Sequence, residues 1–184
     1  MSASVAPTLD SFTTARLVAE RLTPEHRDEI ARMHRDARTM AMLGGVRDDE
    51  KTREYLERNL AHWDRYGYGL WILRDRKSGA MIGRGLLRHL DVQGQDDIET
   101  GYAFYPAWWG RGLATEIARR CVDLGFEVLH APSIVGLTTP ANTASLRVLR
   151  KVGMVPDREL DHGGVPHVLL RVTRETWSAR QIPE

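Results

Sequence analysis

Cysteine is nearly absent from this sequence, because the 184 residues contain only Cys121. One thiol cannot form an internal disulfide or supply a multi-cysteine zinc site. It fits a reducing environment, so we expect a cytoplasmic protein. The 7 histidines show neither H-x₃-H nor H-E-x-x-H spacing, and we therefore expect no metal cofactor.

Excess charge of one sign and long apolar runs are also missing. Lys and Arg number 26 and Asp and Glu 25, which leaves a formal net charge of +1. This balance argues against binding nucleic acid through bulk charge, so we expect no direct nucleic-acid partner. No run approaches the roughly 18 apolar residues of a membrane-spanning helix. The N-terminus lacks a basic region followed by an apolar run, so we expect neither membrane insertion nor a signal peptide.

What is present is the composition of a globular protein. Hydrophobic residues make up 42% of the chain and charged residues 28%, which is typical of a folded chain that can bury a core. The length suits one domain better than two. We expect a mobile N-terminal segment at 1–12, a single domain at 13–178 and a short C-terminal tail at 179–184.

Apolar periodicity and turn residues predict the element order β, α, α, β, β, β, α, β, α, β. The predicted strands lie at 16–22, 70–73, 80–88, 98–105, 133–138 and 167–173, and a polar loop is predicted at 93–97. The predicted helices begin at Thr23, near Asp48, after Gly112 and near Asn142. Antiparallel hairpins followed by a β–α–β unit favour an α+β or mixed α/β fold.

The densest functional signal is the segment that joins a strand ending at Pro106 to the long helix after Gly112. It contains Gly110, Arg111 and Gly112. Glycine lets a backbone approach a ligand closely, and the N–H groups at a helix N-terminus favour an anion. The segment therefore predicts a phosphate or pyrophosphate cradle, although a tight turn alone would use the same residues. It matches neither the P-loop nor the G-x-G-x-x-G pattern, which disfavours Mg-ATP and dinucleotides.

A second signal is the run Asn142-Thr143-Ala144-Ser145, which opens a helix directly after a strand. Three basic residues, Arg147, Arg150 and Lys151, follow on that helix. An N-cap and a solvated basic face would explain these residues without any ligand. Beside a phosphate cradle, they would instead extend the same binding site.

Together with Glu99-Thr100-Gly101-Tyr102, these segments resemble the GNAT superfamily of N-acetyltransferases. The closer resemblance is to the branch that includes ribosomal-protein N-terminal acetyltransferases, and it covers about residues 14–177. It implies a twisted, mostly antiparallel central sheet that is splayed at the acyl-CoA site and flanked by helices. It also implies acetyl-CoA as co-substrate and an amine as acceptor. Homodimers are common in this branch, so a homodimer stays open.

The resemblance assigns residues to the cofactor. The backbone of Tyr102, Ala103 and Phe104 would pair with pantetheine, and Asn142 would bond near it. The pyrophosphate would lie against Trp109, Gly110, Arg111, Gly112, Leu113, Ala114 and Thr115. Acceptor choice in the family depends on loops, which here are 40–49, 93–97 and 161–166.

The resemblance also suggests catalytic residues, with one departure from the family. Many relatives carry a tyrosine seven residues after the motif asparagine, and this chain has Leu149 there. Ser145 is the replacement candidate for protonating the CoA thiolate. Glu99 is the candidate base, acting through water, and Asp96 and Asp97 are alternatives.

We therefore expect an N-acyltransferase that moves an acetyl or related acyl group from acyl-CoA directly to an amine. That amine is either a protein N-terminal α-amine or a small molecule. The alternative is a non-catalytic CoA-binding regulatory module, since Leu149 replaces the tyrosine. A binder of another phosphate ligand is a further alternative. Cys121 falls on the apolar face of a helix and is expected to be an inert core residue, which disfavours a covalent acyl-enzyme.

Overall fold

The computed structural model describes residues 9–180 of the chain. Its strands are β1 (Ser11–Thr13), β2 (Leu17–Arg21), β3 (Leu70–Asp75), β4 (Met81–Val92), β5 (Gln95–Phe104), β6 (Ser133–Thr138), β7 (Val155–His162) and β8 (Val165–Thr173). Its helices are α1 (Arg27–Arg35), α2 (Ala37–Met40), α3 (Asp49–Tyr66), α4 (Leu113–Glu127), α5 (Thr143–Lys151) and α6 (Arg174–Ala179). Single 3₁₀ turns cover Pro24–His26 and Pro106–Trp108.

The eight strands form one sheet in the order β1-β2-β3-β4-β5-β6-β8-β7. Strands β5 and β6 run parallel. The pairs β1–β2, β2–β3, β6–β8 and β7–β8 are antiparallel. A mostly antiparallel sheet combined with helices confirms the predicted mixed α/β class.

The predicted polar loop at 93–97 is wrong. Strand β4 continues to Val92 and β5 already begins at Gln95, so a two-residue turn connects them. Its residues, Gln93 and Gly94, have φ values of 56° and 81°. Two consecutive positive φ values produce a hairpin turn whose twist matches that of the flanking strands. The Gly94 N–H also donates to the Asp91 carboxylate at 2.8 Å.

Four elements were missing from the sequence prediction, namely β1, α2, β7 and α6. The mobile segment proposed for 1–12 stays a prediction for residues 1–8, which lie outside the described part of the chain. Ser11 and Phe12, in contrast, pair with β2. At the other end, Ala179 closes α6, and residues 181–184 of the proposed tail lie outside the described range.

The chain divides into two compact units. The first contains the residues up to Arg84 together with Phe104–Trp109. Two tryptophans, Trp63 and Trp71, anchor its core. Trp63 donates through Nε1 to the Leu70 carbonyl at 2.9 Å, and its ring meets that of Trp71 edge-on at 5.6 Å. A buried indole needs such a partner for its N–H.

The second unit contains Gly85–Ala103 and the residues from Gly110 onward. Helix α4 buries the predicted apolar face, including Ile117, Cys121 and Leu124. Burial raises the pKa of the Cys121 thiol to about 12, and a thiol kept protonated is a poor nucleophile. Cys121 is therefore an inert core residue, as predicted.

Candidate active site

The first part of the site is the turn that leads into α4, in the second unit. Gly110 and Gly112 have φ values of 71° and 77°, and Gly112 is the N-cap of the helix. A side chain would strain the backbone at either position. Both glycines and Arg111 between them are exposed. The predicted cradle is thus an open turn with a cation at its centre.

The N–H groups of the first α4 turn complete this anion site. The Gly112 carbonyl accepts from the Glu116 N–H at 3.0 Å, which is the opening bond of the helix. The earlier N–H groups have no partner inside a helix and, with the helix dipole, attract negative charge. The Leu113 side chain is buried, so Leu113 can act on a ligand through its backbone. Such a site fits the diphosphate of a CoA ester.

Trp109 and Phe104 belong to the first unit, where they contact each other. The Trp109 Nε1 donates to the Phe104 carbonyl at 2.7 Å. The indole is 50% exposed, and the Arg38 guanidinium carbon lies 5.8 Å from its ring centroid. The Phe104 carbonyl, predicted to pair with pantetheine, therefore already accepts one hydrogen bond.

The second part of the site is the start of α5, in the second unit. The Asn142 Oδ1 accepts from the Ser145 N–H at 3.1 Å, so Asn142 is the N-cap of this helix. The Ser145 Oγ lies 3.1 Å from the Tyr102 hydroxyl. Burial raises the pKa of Tyr102 to about 12, although the bond to Ser145 partly offsets that effect. Tyr102 therefore remains a neutral proton donor across the physiological range.

The Tyr102 hydroxyl is a functional group that the sequence reasoning missed. The resemblance assigned Tyr102 a role through its backbone alone. Its partner Ser145 is 43 residues away in the chain, and no local pattern links the two. The structure therefore joins two predicted site residues in a contact that neither motif contained.

Leu149 occupies the position where many relatives carry a tyrosine. Its side chain is 2% exposed, and it packs against Gly136 of β6. A Cβ at Gly136 would lie 2.5 Å from the Leu149 Cδ2. Leu149 is consequently a core residue here, and the missing tyrosine hydroxyl has no substitute at that position.

The three candidate carboxylates all have cationic or imidazole partners. Glu99 accepts from the Arg88 Nε at 2.7 Å, and its side chain is 9% exposed. Asp97 is bonded to the Arg171 guanidinium at 2.6 and 3.1 Å. The side chain of Asp97 is buried, so it holds β5 to β8 rather than facing solvent.

The third carboxylate, Asp96, is exposed and lies 2.9 Å from the Nδ1 of His89. A carboxylate on one ring nitrogen orients an imidazole, and the other nitrogen can then exchange protons. The sequence analysis named Asp96 as an alternative base but did not pair it with His89. A hairpin with a two-residue turn brings them together, whereas the predicted loop would have left them apart.

The position of β5 beside β6 bears on where pantetheine would lie. Glu99 faces Val135 in the parallel register between these strands. Tyr102 and Ala103 follow three and four residues later on β5. Backbone groups beyond a short parallel pair are available to a ligand that adopts an extended conformation.

A surface cavity of about 320 Å³ lies in the same unit. It is lined by Pro140, Glu159, Leu160, Asp161, Pro166 and His167. Asp161 and Pro166 are the ends of the segment 161–166, which the sequence analysis named as an acceptor loop, and His167 follows it directly. Glu159 and Asp161 give the cavity two carboxylates, and carboxylates attract protonated amines.

No group of three His, Cys, Asp or Glu side chains among residues 9–180 could hold a metal ion. No helix of the described chain has the length and apolar character needed to cross a membrane.

Comparison with known proteins supports the geometric reading. Residues 16–155 match the family described as Acetyltransferase (GNAT) domain, so the chain belongs to the GNAT acetyltransferases. It is 33% identical over 145 residues to YkkB of Bacillus subtilis, a match that covers 76% of this chain and 84% of that protein. It is 27% identical over 203 aligned residues to the FsC-acetyl coenzyme A-N(2)-transacetylase of Aspergillus fumigatus, covering 100% of this chain and 83% of the relative.

Solved structures confirm the GNAT fold. An acetyltransferase from Agrobacterium tumefaciens superposes with a TM-score of 0.80 at 23% identity, over 95% of this chain and 100% of the other. The ribosomal-protein-S5-alanine acetyltransferase from Vibrio fischeri gives a TM-score of 0.73 at 17% identity, over 91% of this chain and 98% of the other. The predicted resemblance to this family and to its ribosomal-protein branch is confirmed at the level of the fold.

Proposed function

We propose that this protein transfers an acetyl group from acetyl-CoA directly to an amine acceptor. The observation that carries this proposal is the anion cradle at Gly110–Gly112, which precedes α4 in the same unit as the Tyr102–Ser145 hydrogen bond. The first feature suits the CoA diphosphate, and the second suits the departing sulfur. Family membership and the activity for which the Aspergillus relative is named support acetyl-CoA as the donor.

The cofactor residues divide into two groups. Gly110, Arg111 and Gly112, with the N–H groups of Leu113, Ala114 and Thr115, would hold the diphosphate. The backbone of Tyr102 and Ala103 would align the pantetheine arm. Asn142 fixes the start of α5, so it places Ser145 as well as contacting the ligand. Acetyl-CoA supplies the activated thioester in this chemistry.

Proton transfer is assigned to the chain's own groups. The acceptor amine must lose a proton, because a protonated amine has no free electron pair for attack on the thioester carbon. As the C–N bond forms and the C–S bond breaks, the sulfur leaves as a thiolate that needs a proton. Ser145 would give its hydroxyl proton to the sulfur, the Tyr102 hydroxyl behind it would restore that proton, and water would then reprotonate Tyr102. Glu99 would accept the amine proton through water while Arg88 holds its Oε2.

The acceptor is an amine, either a protein N-terminal α-amine or a small molecule. We propose that it reaches the enzyme through the cavity beside Pro140, two residues before Asn142. The carboxylates of Glu159 and Asp161 would draw a cationic amine into this cavity. The N(2)-transacetylase relative points to a small-molecule amine, and the ribosomal-protein enzyme points to a protein N-terminus.

The experiment combines CoA binding with turnover. Calorimetry measures the affinity for CoA, and release of the free CoA thiol from acetyl-CoA is followed with a panel of small amines and N-terminal peptides. Gly110→Ala should weaken CoA binding about tenfold, because a methyl group at the cradle blocks close backbone approach. Gly79→Ala is the matched control, since Gly79 has the same φ of 71° and an equally open surrounding outside the cradle.

The outcomes separate the proposed enzyme from its alternatives. CoA binding and amine-dependent thiol release support the enzyme. CoA binding without release for any acceptor supports a regulatory CoA-binding module instead. Tight binding of ATP or NAD that CoA does not displace would contradict the proposal altogether.

A further inference from the structure

A buried tyrosine–arginine pair in the first unit has unsatisfied hydrogen-bond donors. Tyr55 on α3 is 4% exposed and Arg84 on β4 is 6% exposed. The Arg84 guanidinium carbon lies 5.2 Å from the Tyr55 ring centroid. Among residues 9–180, neither the Tyr55 hydroxyl nor the Arg84 Nε has a hydrogen-bond partner. Buried polar atoms are rarely left in this state without a reason.

The chemistry of the two orphan groups defines their missing partner. The Arg84 Nε is a donor only, and the Tyr55 hydroxyl can donate one hydrogen. An oxygen atom with several lone pairs satisfies both. Because the guanidinium is always charged, an anionic oxygen forms the stronger, charge-assisted bond. A carboxylate or phosphate oxygen meets these requirements.

Other cations around Tyr55 point to the same conclusion. The guanidinium carbons of Arg47 and Arg58 lie 4.9 and 5.8 Å from its ring centroid. Together with Arg84, three arginines surround one aromatic ring. Arg58 is exposed, so water screens its charge, but the buried charge of Arg84 is expensive to enclose unless a negative group offsets it.

Buried His34 belongs to the same cluster. Its ring meets that of Tyr55 edge-on at 4.7 Å. Burial, together with the charges of Arg47 and Arg84, lowers the pKa of His34 to about 3. His34 is thus neutral at physiological pH. It hydrogen-bonds to the Thr52 hydroxyl at 3.0 Å, so it adds no positive charge of its own.

Two arginines of this cluster lie nearer to solvent than the buried pair. Arg58 is exposed and Arg47 is half-buried, so the arginines extend from the buried pair toward solvent. The Arg47 N–H donates to the His34 carbonyl at 3.0 Å, which ties its backbone to α1. An anion entering along these side chains would meet Arg47 before it reaches Tyr55 and Arg84.

We propose that Tyr55, Arg84 and Arg47 bind the oxyanion of a small ligand, either a carboxylate or a phosphate group. The site lies wholly within the first unit and uses none of the residues assigned to acetyl-CoA. This inference therefore stands or falls separately from the proposed acetyl transfer.

The test is a titration of the full-length protein at constant ionic strength. The probes are inorganic phosphate and, separately, succinate, each against a chloride background, with binding measured by calorimetry and by the rise in Tm. CoA is absent from every titration. A second series repeats the titrations with Gly110→Ala in place of the wild type, which shows whether a probe binds at the cradle before α4. We expect saturable binding of at least one probe, unchanged by Gly110→Ala.

Variants of the pair decide the location. Arg84→Met should weaken the binding at least tenfold, because one charge-assisted bond contributes about that factor. Tyr55→Phe should weaken it about threefold to tenfold while leaving the core shape intact. The controls are Arg65→Met and Tyr66→Phe, a cation–π pair on the same helix with a spacing of 5.1 Å, in which Arg65 is exposed and Tyr66 is half-buried.

Each outcome has a defined meaning. Saturation by phosphate alone assigns a phosphate-bearing ligand, and saturation by succinate alone assigns a carboxylate. Should Arg84→Met fail to fold, Tyr55→Phe still provides the test. The proposal is overturned if neither probe saturates below about 50 mM, a limit that corresponds to roughly 1.8 kcal/mol of binding. It is also overturned if the Tyr55 and Tyr66 variants behave alike.

Discussion

The Tyr102 hydroxyl lies 3.1 Å from the Ser145 Oγ, which joins strand β5 to the first turn of α5. This contact unites two predicted site residues into one hydrogen-bonded unit. It also distinguishes the chain from relatives that carry a tyrosine at the position of Leu149. The second unit therefore contains a phenol, which belongs to Tyr102 on strand β5 and not to helix α5.

The Tyr102–Ser145 pair predicts a defect in turnover rather than in cofactor affinity. Ser145→Ala should lower kcat about 100-fold, because a positioned proton donor contributes a factor of that order. Tyr102→Phe should lower it less, since Ser145 still contacts the sulfur. Steady-state kinetics with acetyl-CoA provide the measurement. Thr143→Ala, which alters an exposed residue of the same helix turn, is the control. Full turnover by Ser145→Ala would leave the serine a structural role only.

Glu99 predicts a loss of activity when its carboxylate is removed. Glu99→Gln preserves the side-chain shape but removes the proton acceptor, so kcat/KM should fall about 100-fold. The fall should be measured with acetyl-CoA and an amine acceptor across pH 6–9. Asp97→Asn serves as the comparison, because it breaks the bond to Arg171 and should act on stability. An unchanged kcat/KM for Glu99→Gln would assign Glu99 to its ion pair with Arg88 alone.

The cavity beside Pro140 predicts an effect on acceptor affinity. Glu159→Gln removes one of its two carboxylates, and a cationic amine should then bind more weakly. We expect the KM for such an amine to rise about threefold to tenfold at low salt, with kcat unchanged, and the difference to shrink as salt screens the charge. Glu175→Gln, on exposed α6, is the control. Equal KM values for both variants would show that the acceptor does not enter through this cavity.

Buried His34 predicts lower stability in acid. Its pKa is about 3 in the folded protein, against an ordinary value of 6.5. The unfolded chain therefore binds a proton below pH 6.5 that the folded chain rejects until about pH 3. Unfolding free energy should fall with decreasing pH in this window, with a slope of up to about 1.4 kcal/mol per pH unit. Urea denaturation across pH 4–8 measures it. His34→Gln should flatten the slope, and His130→Asn, at an exposed turn, should not.

Close packing of α5 on β6 predicts a strong size limit at Gly136. A methyl group there would overlap the Leu149 side chain, and overpacking of this kind costs about 1–3 kcal/mol. Gly136→Ala should therefore lower the free energy of unfolding by that amount in a denaturant titration. The double variant Gly136→Ala with Leu149→Ala should lose less than the sum of the two single changes. Strict additivity would show that the two positions do not compete for space.

Local features of the site were predictable from the chain. The start of α4 after Gly112, the N-cap at Asn142 and the bounds of β6 all match the prediction. Each depends on residues a few positions apart, because caps, turns and strand patterns are set by backbone preferences over short distances. The same locality explains why the turn at Gln93–Gly94 was missed. Its polar composition predicted a loop, while pairing with the neighbouring strand shortened it.

Partners of the charged and polar side chains were decided by tertiary structure alone. Tyr102 with Ser145 and Tyr55 with Arg84 are contacts between residues on separate elements. The ion pair of Arg88 with Glu99 depends on a hairpin register that a one-residue slip would have changed. Residue types and spacings do not predict these side-chain contacts, because the contacts depend on how strands and helices pack. The sequence thus determined the family and the place of the glycine turn before α4, whereas packing determined which hydroxyl and which carboxylate have partners, and left the buried Arg84 Nε without a hydrogen-bond partner.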